Sequence, residues 1–368
     1  MISIAREILL HDKVRFIITV VSLGFAIVMI VYDMGMFFSV TGESVSLIDC
    51  AQANLWVFEK GSGQINAPSL VPKSVLGRAR SMEGVQQVCA LGVLMGTLKV
   101  RDNRQVMIVG IDPACPLLRP WNVVEGDIQS LERKDTIIVD DLALRGDPAH
   151  VGDVVKINDW EVRVVAVTHK NKSFSSPFVY VNLKTFASLR GTPEDYSFVM
   201  IQLAPAADQD QIIQRLTDAN SDVAVSDPQE FKRSTIAALI AAGVGMIFVV
   251  VAVGVMVGML IITLTVYTAT LEQLRNFAIL KSLGATQWQV LRIVLEQAIT
   301  QTAVSFGIGL AASLGVDAFV EALSGINGQL PLPVIIGSLG MMIVLAILAS
   351  LISIRKAVAV DPVMVFRA

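Results

Sequence analysis

The amino-acid sequence predicts an integral membrane α-helical protein, with four transmembrane helices around one large extracytoplasmic α+β domain. Three observations carry that expectation. Of the 368 residues 54% are hydrophobic and the mean hydropathy is +0.64, more apolar than soluble chains of ordinary make-up. Four apolar stretches each reach the roughly 20 residues that a helix needs to cross about 30 Å of hydrocarbon. Between the first and the second of them, residues 41–235 change texture and become polar, turn-rich and alternating.

The apolar stretches are 16–40, 236–267, 293–314 and 334–354. The first follows Lys13 and Arg15, exceeds the length of a signal-peptide core and is not promptly followed by an A-x-A-like site, so it reads as a retained anchor. As one helix the second would be on the order of 48 Å long, and it is expected to tilt or to project beyond the bilayer. The third opens on Glu296, Gln297, Thr300 and Gln301. Pro331-Leu332-Pro333 precedes the fourth and Arg355-Lys356 follows it, which gives it clean ends.

Orientation follows from the basic residues at span ends. Arg6, Lys13 and Arg15, then Arg275, Lys281 and Arg292, then Arg355, Lys356 and Arg367 assign segments 1–15, 268–292 and 355–368 to the cytoplasm, so both termini lie inside. Asp317 and Glu321, with no Lys or Arg between them, mark 315–333 as an external loop. Lys232 and Arg233 at the outer end of the second span run against this rule, which a long translocated domain weakens.

Within 41–235, alternating segments at 97–100, 106–109, 136–139, 154–157 and 162–167 read as strands, and 72–82 and 207–218 as helices. Asn158-Asp159 reads as a hairpin turn, and 118–170 as a strand-rich inserted subdomain.

Catalytic chemistry finds no constellation here. His150 and His169 lack any H-E-x-x-H spacing and are read as surface or packing residues, and Ser173, Ser175 and Ser176 lie outside a nucleophile-elbow pattern. Cys50, Cys89 and Cys115 are too few and too irregular for a metal set or a disulfide framework. Cys89 and Cys115 either pair in an oxidising compartment or, on the plainer reading, remain thiols. No G-x-x-x-x-G-K-[ST] occurs, so an ATP requirement would fall on another subunit. A net charge of -3 without a long basic run gives nucleic acid no footprint.

Three segments resemble the MacB/FtsX permease superfamily. They are Ala5-Arg6-Glu7-Ile8-Leu9-Leu10 leading to Lys13-Val14-Arg15-Phe16, the inner loop from Gln273 to Thr286, and the tail Arg355-Lys356-Ala357 with Asp361-Pro362-Val363. The inner loop is similar to the family's R-E-x-G-I-L-R-A-L-G-A-T signature, with Asn276-Phe277 and Ala278 as departures. Pro120-Trp121-Asn122-Val123-Val124-Glu125-Gly126-Asp127, and the run from Lys172 to Tyr180, resemble the DevC branch of exporter permeases.

The resemblance implies type VII ABC architecture in a bacterial inner membrane and a second copy of the chain as a homodimer partner. It also implies a cytosolic ABC ATPase dimer that binds ATP and Mg, this chain having no cofactor of its own. A periplasmic membrane-fusion adaptor, an outer-membrane duct and amphipathic, glycolipid-like cargo taken from the outer leaflet or periplasm follow from the DevC likeness. The alternatives are an FtsX-like regulator that activates an extracytoplasmic hydrolase, and haem-efflux or lipoprotein-release permeases.

The inner loop reads as an amphipathic surface helix even without the family. Leu271, Leu274, Ala278 and Leu280 recur at helical spacing, and Gly284 offers a C-cap. Such a helix is interfacial on the plain reading. The resemblance makes it an ATPase-coupling element carried by Leu274, Arg275, Phe277, Ala278, Ile279, Lys281, Leu283 and Gly284. In the second span Gly254-x-x-x-Gly258 and Ala241-x-x-x-Gly245 place small residues on successive turns, for packing within one protomer or across a dimer. Asp33 lies roughly 25 Å along the first span, near the outer leaflet boundary. With Tyr32, Met29 and Met36, and Glu43 above, it is read either as a solvated interfacial acid or as part of a lateral site for an amphipathic molecule.

Overall fold

Apolar runs become helices and alternating runs become one large sheet, arranged in two units: residues 40–244 form one and the remainder the other. The computed structural model describes residues 13–67, 69–144, 150–173, 176–191, 195–205, 207–272, 286–324 and 330–358.

In the apolar unit, helix α1 spans Lys13–Ser44 and runs on past the unit boundary. Its buried positions Leu23, Ile27, Ile30 and Val31 follow the helical repeat and form the centre of a core. Three further helices, numbered below as α7, α8 and α9, complete it: Met246–Glu272, Gln287–Ser324 and Leu332–Val358. They contribute Ile262, then Val294, Ala298 and Phe306, then Met342, Leu345 and Ala346.

Among the described residues three helices are long and apolar enough to cross a membrane, over Phe16–Ser44, Met246–Leu264 and Arg292–Glu321. The fourth expected span lies in α9, whose apolar segment, Leu332–Leu348, is shorter, although 27 residues of helix extend about 40 Å. Asp317 and Glu321, expected in an external loop from 315, instead continue the helix α8.

Beyond the end of α1, the second unit continues with the short helix α2 (Ser46–Cys50) and strand β1 (Leu55–Glu59). Strand β2 (Val71–Pro72), helix α3 (Lys73–Arg80) and the long strands β3 (Val85–Lys99) and β4 (Asn103–Ile111) follow. Next come β5 (Val123–Gly126), β6 (Thr136–Asp140), β7 (Val154–Ile157), β8 (Trp160–Thr168), β9 (Lys172–Ser173) and β10 (Ser176–Asn182). Helix α4 (Leu183–Arg190), β11 (Asp195–Tyr196), β12 (Phe198–Leu203), α5 (Gln209–Ala219), β13 (Val223–Ser226) and α6 (Pro228–Leu239) complete it.

The main sheet runs β13-β1-β12-β3-β4-β10-β6-β8-β5, with β7 bridging β3 and β8 and β9 on β10. The region 118–170 is therefore no separate subdomain. Its strands β6 and β7 are hydrogen-bonded to β10 and β3, which lie outside it in sequence, and this mixed pairing is invisible to local alternation. Asn158 and Asp159, both at positive φ (43° and 68°), turn β7 into β8. Phe186 on α4 lies against paired Gly92 and Gly110, where a Cβ would stand about 2.5 Å from its ring.

The second apolar run is the clearest departure from expectation. Asp227 caps α6 by accepting the Gln229 and Glu230 N–H groups, with Pro228 in the first turn. The helix ends at Leu239, and residues 240–244 form one wide turn in which Gly243 takes φ 118°, a conformation that costs L-residues dearly. The expected single helix over 236–267 is thus two, and α7 begins only at Met246.

Candidate functional site

The expected site residues fall into three places. Leu274, Arg275, Phe277, Ala278, Ile279, Lys281, Leu283 and Gly284 of the coupling loop lie outside the described residues, as does 1–12 of the expected N-terminal cytoplasmic segment.

Gly254 and Gly258 pack inside the chain. A Cβ on Gly254 would lie 3.2 Å from Ile30 Cγ1 and 3.7 Å from Met29 Cβ, and one on Gly258 would lie 3.5 Å from Ala26 Cβ. One turn of α7 thus faces one turn of α1, the geometry that small residues at i and i+4 permit. Ala241 and Gly245 do not continue this stripe. Ala241 is exposed in the wide turn and Gly245 follows it, because the Gly243 break removes the helical repeat that would align them.

Around the expected lateral site, Met29 faces α7 and Met36 is half-buried, as are Tyr32 and Asp33. Asp33 Oδ2 is enclosed and has no hydrogen-bond partner among the described residues. Asp317 of α8 lies within electrostatic reach of Tyr32. Beside this polar group Phe37 packs on Phe248 with ring centroids 4.6 Å apart.

Glu43 departs from the expectation that it crowns an open mouth. Its carboxylate lies 2.8 Å from Lys172 Nζ, and the two side chains are only 13% and 8% exposed. Lys172 was legible in the sequence only as part of the likeness to exporter permeases, since nothing in a linear pattern pairs residues so far apart.

Two further features escaped sequence reading. On α8, Ser305 and Gly309 meet Gly24 of α1, and a Cβ on Gly309 would lie 2.9 Å from the Gly24 carbonyl oxygen and 2.8 Å from Ile27 Cγ2. The S-x-x-x-G spacing there was the available signal. In the sheet, Asp140 is fully buried and accepts hydrogen bonds from Asn171 N–H (2.6 Å), Thr168 Oγ1 (3.0 Å) and Leu142 N–H (3.1 Å). Burial pushes its carboxyl up to about 7 against the pull of these hydrogen bonds, and neighbouring Asp141 adds to the rise. Asn171 Oδ1 in turn accepts the buried Tyr180 hydroxyl at 2.9 Å, and burial raises the Tyr180 phenol further, with Asp140 adding to it.

His169 pairs with Asp141 at 2.6 Å on the surface, and no group of three metal-binding side chains occurs among the described residues. Cys89 of β3 and Cys115 of the loop after β4 form a disulfide with Cα atoms 6.1 Å apart, correcting the plainer reading of both as thiols; Cys50 is free and exposed. The bond is within reach because the β3–β4 pairing carries the two ends of this 26-residue separation back together.

With this geometry in place, two family comparisons cover most of the chain. The MacB-like periplasmic core domain matches residues 16–219, and the FtsX-like permease C-terminal domain matches residues 248–362. The chain belongs to the MacB/FtsX family of ABC transporter permeases.

Among relatives of this permease, the ABC transporter permease YknZ of Bacillus subtilis is 24% identical over 235 residues, 59% of this chain and 57% of that protein. The ABC transporter permease MJ1507 of Methanocaldococcus jannaschii is 23% identical over 232 residues, again 59% and 57%. The matches thus span a little over half the length of either relative. The ABC transporter permease Rv0072 of Mycobacterium tuberculosis is 24% identical over 362 residues, 96% of both chains. The solved extracellular domain of YknZ aligns with a TM-score of 0.37 at 19% identity, over 48% of this chain and 99% of that domain. The periplasmic region of MacB from Actinobacillus actinomycetemcomitans aligns with a TM-score of 0.38 at 13% identity, over 50% and 93%.

Proposed function

We propose that this permease is the non-catalytic membrane subunit of an ATP-driven complex, a four-span chain that works as a homodimer beside a separate cytosolic ATPase. The observation that carries the reading is the order of parts in one chain: an external sheet domain inserted between α1 and three further apolar helices, with both family domains matched in that order. ATP and Mg belong to the partner. Binding of ATP there closes the inner ends of the spans, and rigid helices carry the motion to the external domain, which displaces amphipathic, glycolipid-like cargo from the outer leaflet or periplasm.

Placement of residues 40–244 outside an inner membrane, with both termini in the cytoplasm, is supported by two independent features. Basic residues collect at the opposite ends of the spans, and the Cys89–Cys115 disulfide suits an oxidising compartment. A membrane-fusion adaptor and an outer-membrane duct follow only from the DevC likeness.

The test is co-expression of the full chain with ABC ATPases and measurement of co-purification and of ATP turnover in lipid. An Ala278→Arg, Leu283→Asp double variant introduces one charge at each of two apolar positions of the expected coupling element. It is expected to lose both the partner and the permease-dependent part of turnover. A variant that retains both would reject the assignment of 268–292 as the coupling element.

A further inference from the structure

Three consecutive buried residues gather the end of α1 onto the sheet. Asn171, Lys172 and Ser173 are 0%, 7% and 3% exposed. On the sheet side, Asn171 donates its N–H to Asp140 Oδ2, accepts the Tyr180 hydroxyl, and donates Nδ2–H to the Trp121 carbonyl at 2.9 Å. On the helix side, Lys172 Nζ meets Glu43 in the last turn of α1, and its carbonyl accepts the Ser46 hydroxyl at 3.2 Å. Ser173 Oγ donates to Asn66 Oδ1 at 2.8 Å, and Asn66 Nδ2 donates to the Ser44 carbonyl at 3.3 Å.

Stability does not account for the central ion pair. Taking two charges out of water costs more than their attraction returns unless further hydrogen bonds satisfy both groups, and an apolar pair of similar size commonly serves better. Apart from its attraction to Glu43, Lys172 Nζ makes no hydrogen bond of good geometry among the described residues, so the buried ammonium is under-satisfied. What a buried pair supplies that an apolar one does not is an attraction between two fixed points, here 2.8 Å apart, that salt screens much less than a surface pair. The Asp49–Lys232 pair between α2 and α6 is different, since Asp49 is 48% exposed and the solvent weakens the link.

We propose that the Glu43–Lys172 pair is the joint through which displacement of α1 enters the external sheet, with Asn171 passing it on to Asp140 and Tyr180. This deepens the ATP-driven reading and rests on it. Lys172 is a positioning residue, acting through the sheet and touching no cargo.

The test uses the full chain with a co-purifying ATPase in lipid nanodiscs. A membrane-impermeant maleimide reports on Cys50, the exposed thiol that closes α2 just beyond the joint. In the wild type, ATP with vanadate is expected to change the labelling rate on the order of threefold. In a Glu43→Met, Lys172→Met double variant the nucleotide-dependent ratio should fall to unity while ATP turnover persists and the melting temperature stays near that of the wild type. Glu43→Gln, which keeps shape and an acceptor oxygen, should lower the ratio in a folded chain, and Asp49→Asn should leave it unchanged.

A double variant or a Glu43→Gln variant with the full wild-type ratio overturns the joint. A wild-type chain whose labelling ignores nucleotide, although the ATPase turns over, overturns the ATP-driven reading and the joint with it.

Discussion

The crossing of α1 and α8 offers the sharpest structural prediction, because four glycines in the membrane unit form a graded series with its own control. At Gly307 an added methyl meets nothing within 4 Å; at Gly258 it stands 3.5 Å from Ala26, at Gly254 3.2 Å from Ile30, and at Gly309 2.8 Å from Ile27. Carbon pairs are most favourable at about 3.5–4.0 Å, so only Gly309→Ala forces backbone to move, since one of its close neighbours is the Gly24 carbonyl. Parting the helices by about 0.5–1 Å forfeits a quarter to a half of each contact there, and overpacking of this kind costs about 1–3 kcal/mol. Gly307→Ala keeps the propensity gain of alanine, about 1 kcal/mol, and meets no clash. Gly309→Ala has the same propensity gain, so the two variants should differ by the overpacking cost alone, about 1–3 kcal/mol. The assay is the folded fraction of the full chain in nanodiscs after heating, compared as midpoints because unfolding of such chains is seldom reversible. The expected order of stability is Gly307→Ala, Gly258→Ala, Gly254→Ala, then Gly309→Ala. If Gly309→Ala melts with Gly307→Ala, the close crossing does not exist.

Two predictions concern the external unit. Asp140, with its carboxyl raised to about 7 in the fold, contributes stability that is fully present below its unfolded value near 4 and is lost as pH rises through 7. The unit should therefore resist heat and protease better at pH 5 than at pH 8, by at most about 3 kcal/mol, and Asp140→Asn should flatten that profile; an unchanged slope would reject the assignment. Removing the Cys89–Cys115 disulfide by a double Ala substitution should cost about 2–4 kcal/mol, read by urea titration with limited proteolysis of residues 40–244, whereas an unshifted midpoint would mean the bond constrains little.

The limits of sequence reading in this chain follow from range of interaction. Helices and strands set by local periodicity were legible, as was the Asn158-Asp159 turn, since each depends on residues within a few positions of one another. The break at Gly243 was not, because Ala, Gly, Ile and Val there satisfy hydropathy whether the helix continues or turns, and only the backbone angle distinguishes them. The joint was out of reach for another reason: Glu43 and Lys172 lie 129 positions apart, a distance over which no pattern operates. Glu43 was placed above the lateral site of Asp33 because a lone carboxylate after an apolar run has no partner visible in the sequence. The same holds for Asp140, whose burial depends on β6 lying between β8 and β10.

The two covalent links between the units are built differently, and the difference has a mechanical meaning. The first is a helix of 32 residues, unbroken from Lys13 to Ser44, that crosses the boundary between the units and ends in the Glu43–Lys172 pair. The second is interrupted at the boundary itself, where Gly243 takes a backbone angle that ends α6 and lets α7 start afresh. A continuous helix transmits displacement and rotation along its axis because every turn is hydrogen-bonded to the next. A glycine break interrupts that ladder, and at Gly243 there is room around the backbone, since an added Cβ meets nothing within 4 Å. On the proposed reading, in which this chain passes on motion generated by a partner ATPase, the unbroken helix α1 is the link that carries it and the turn at Gly243 is the link that yields.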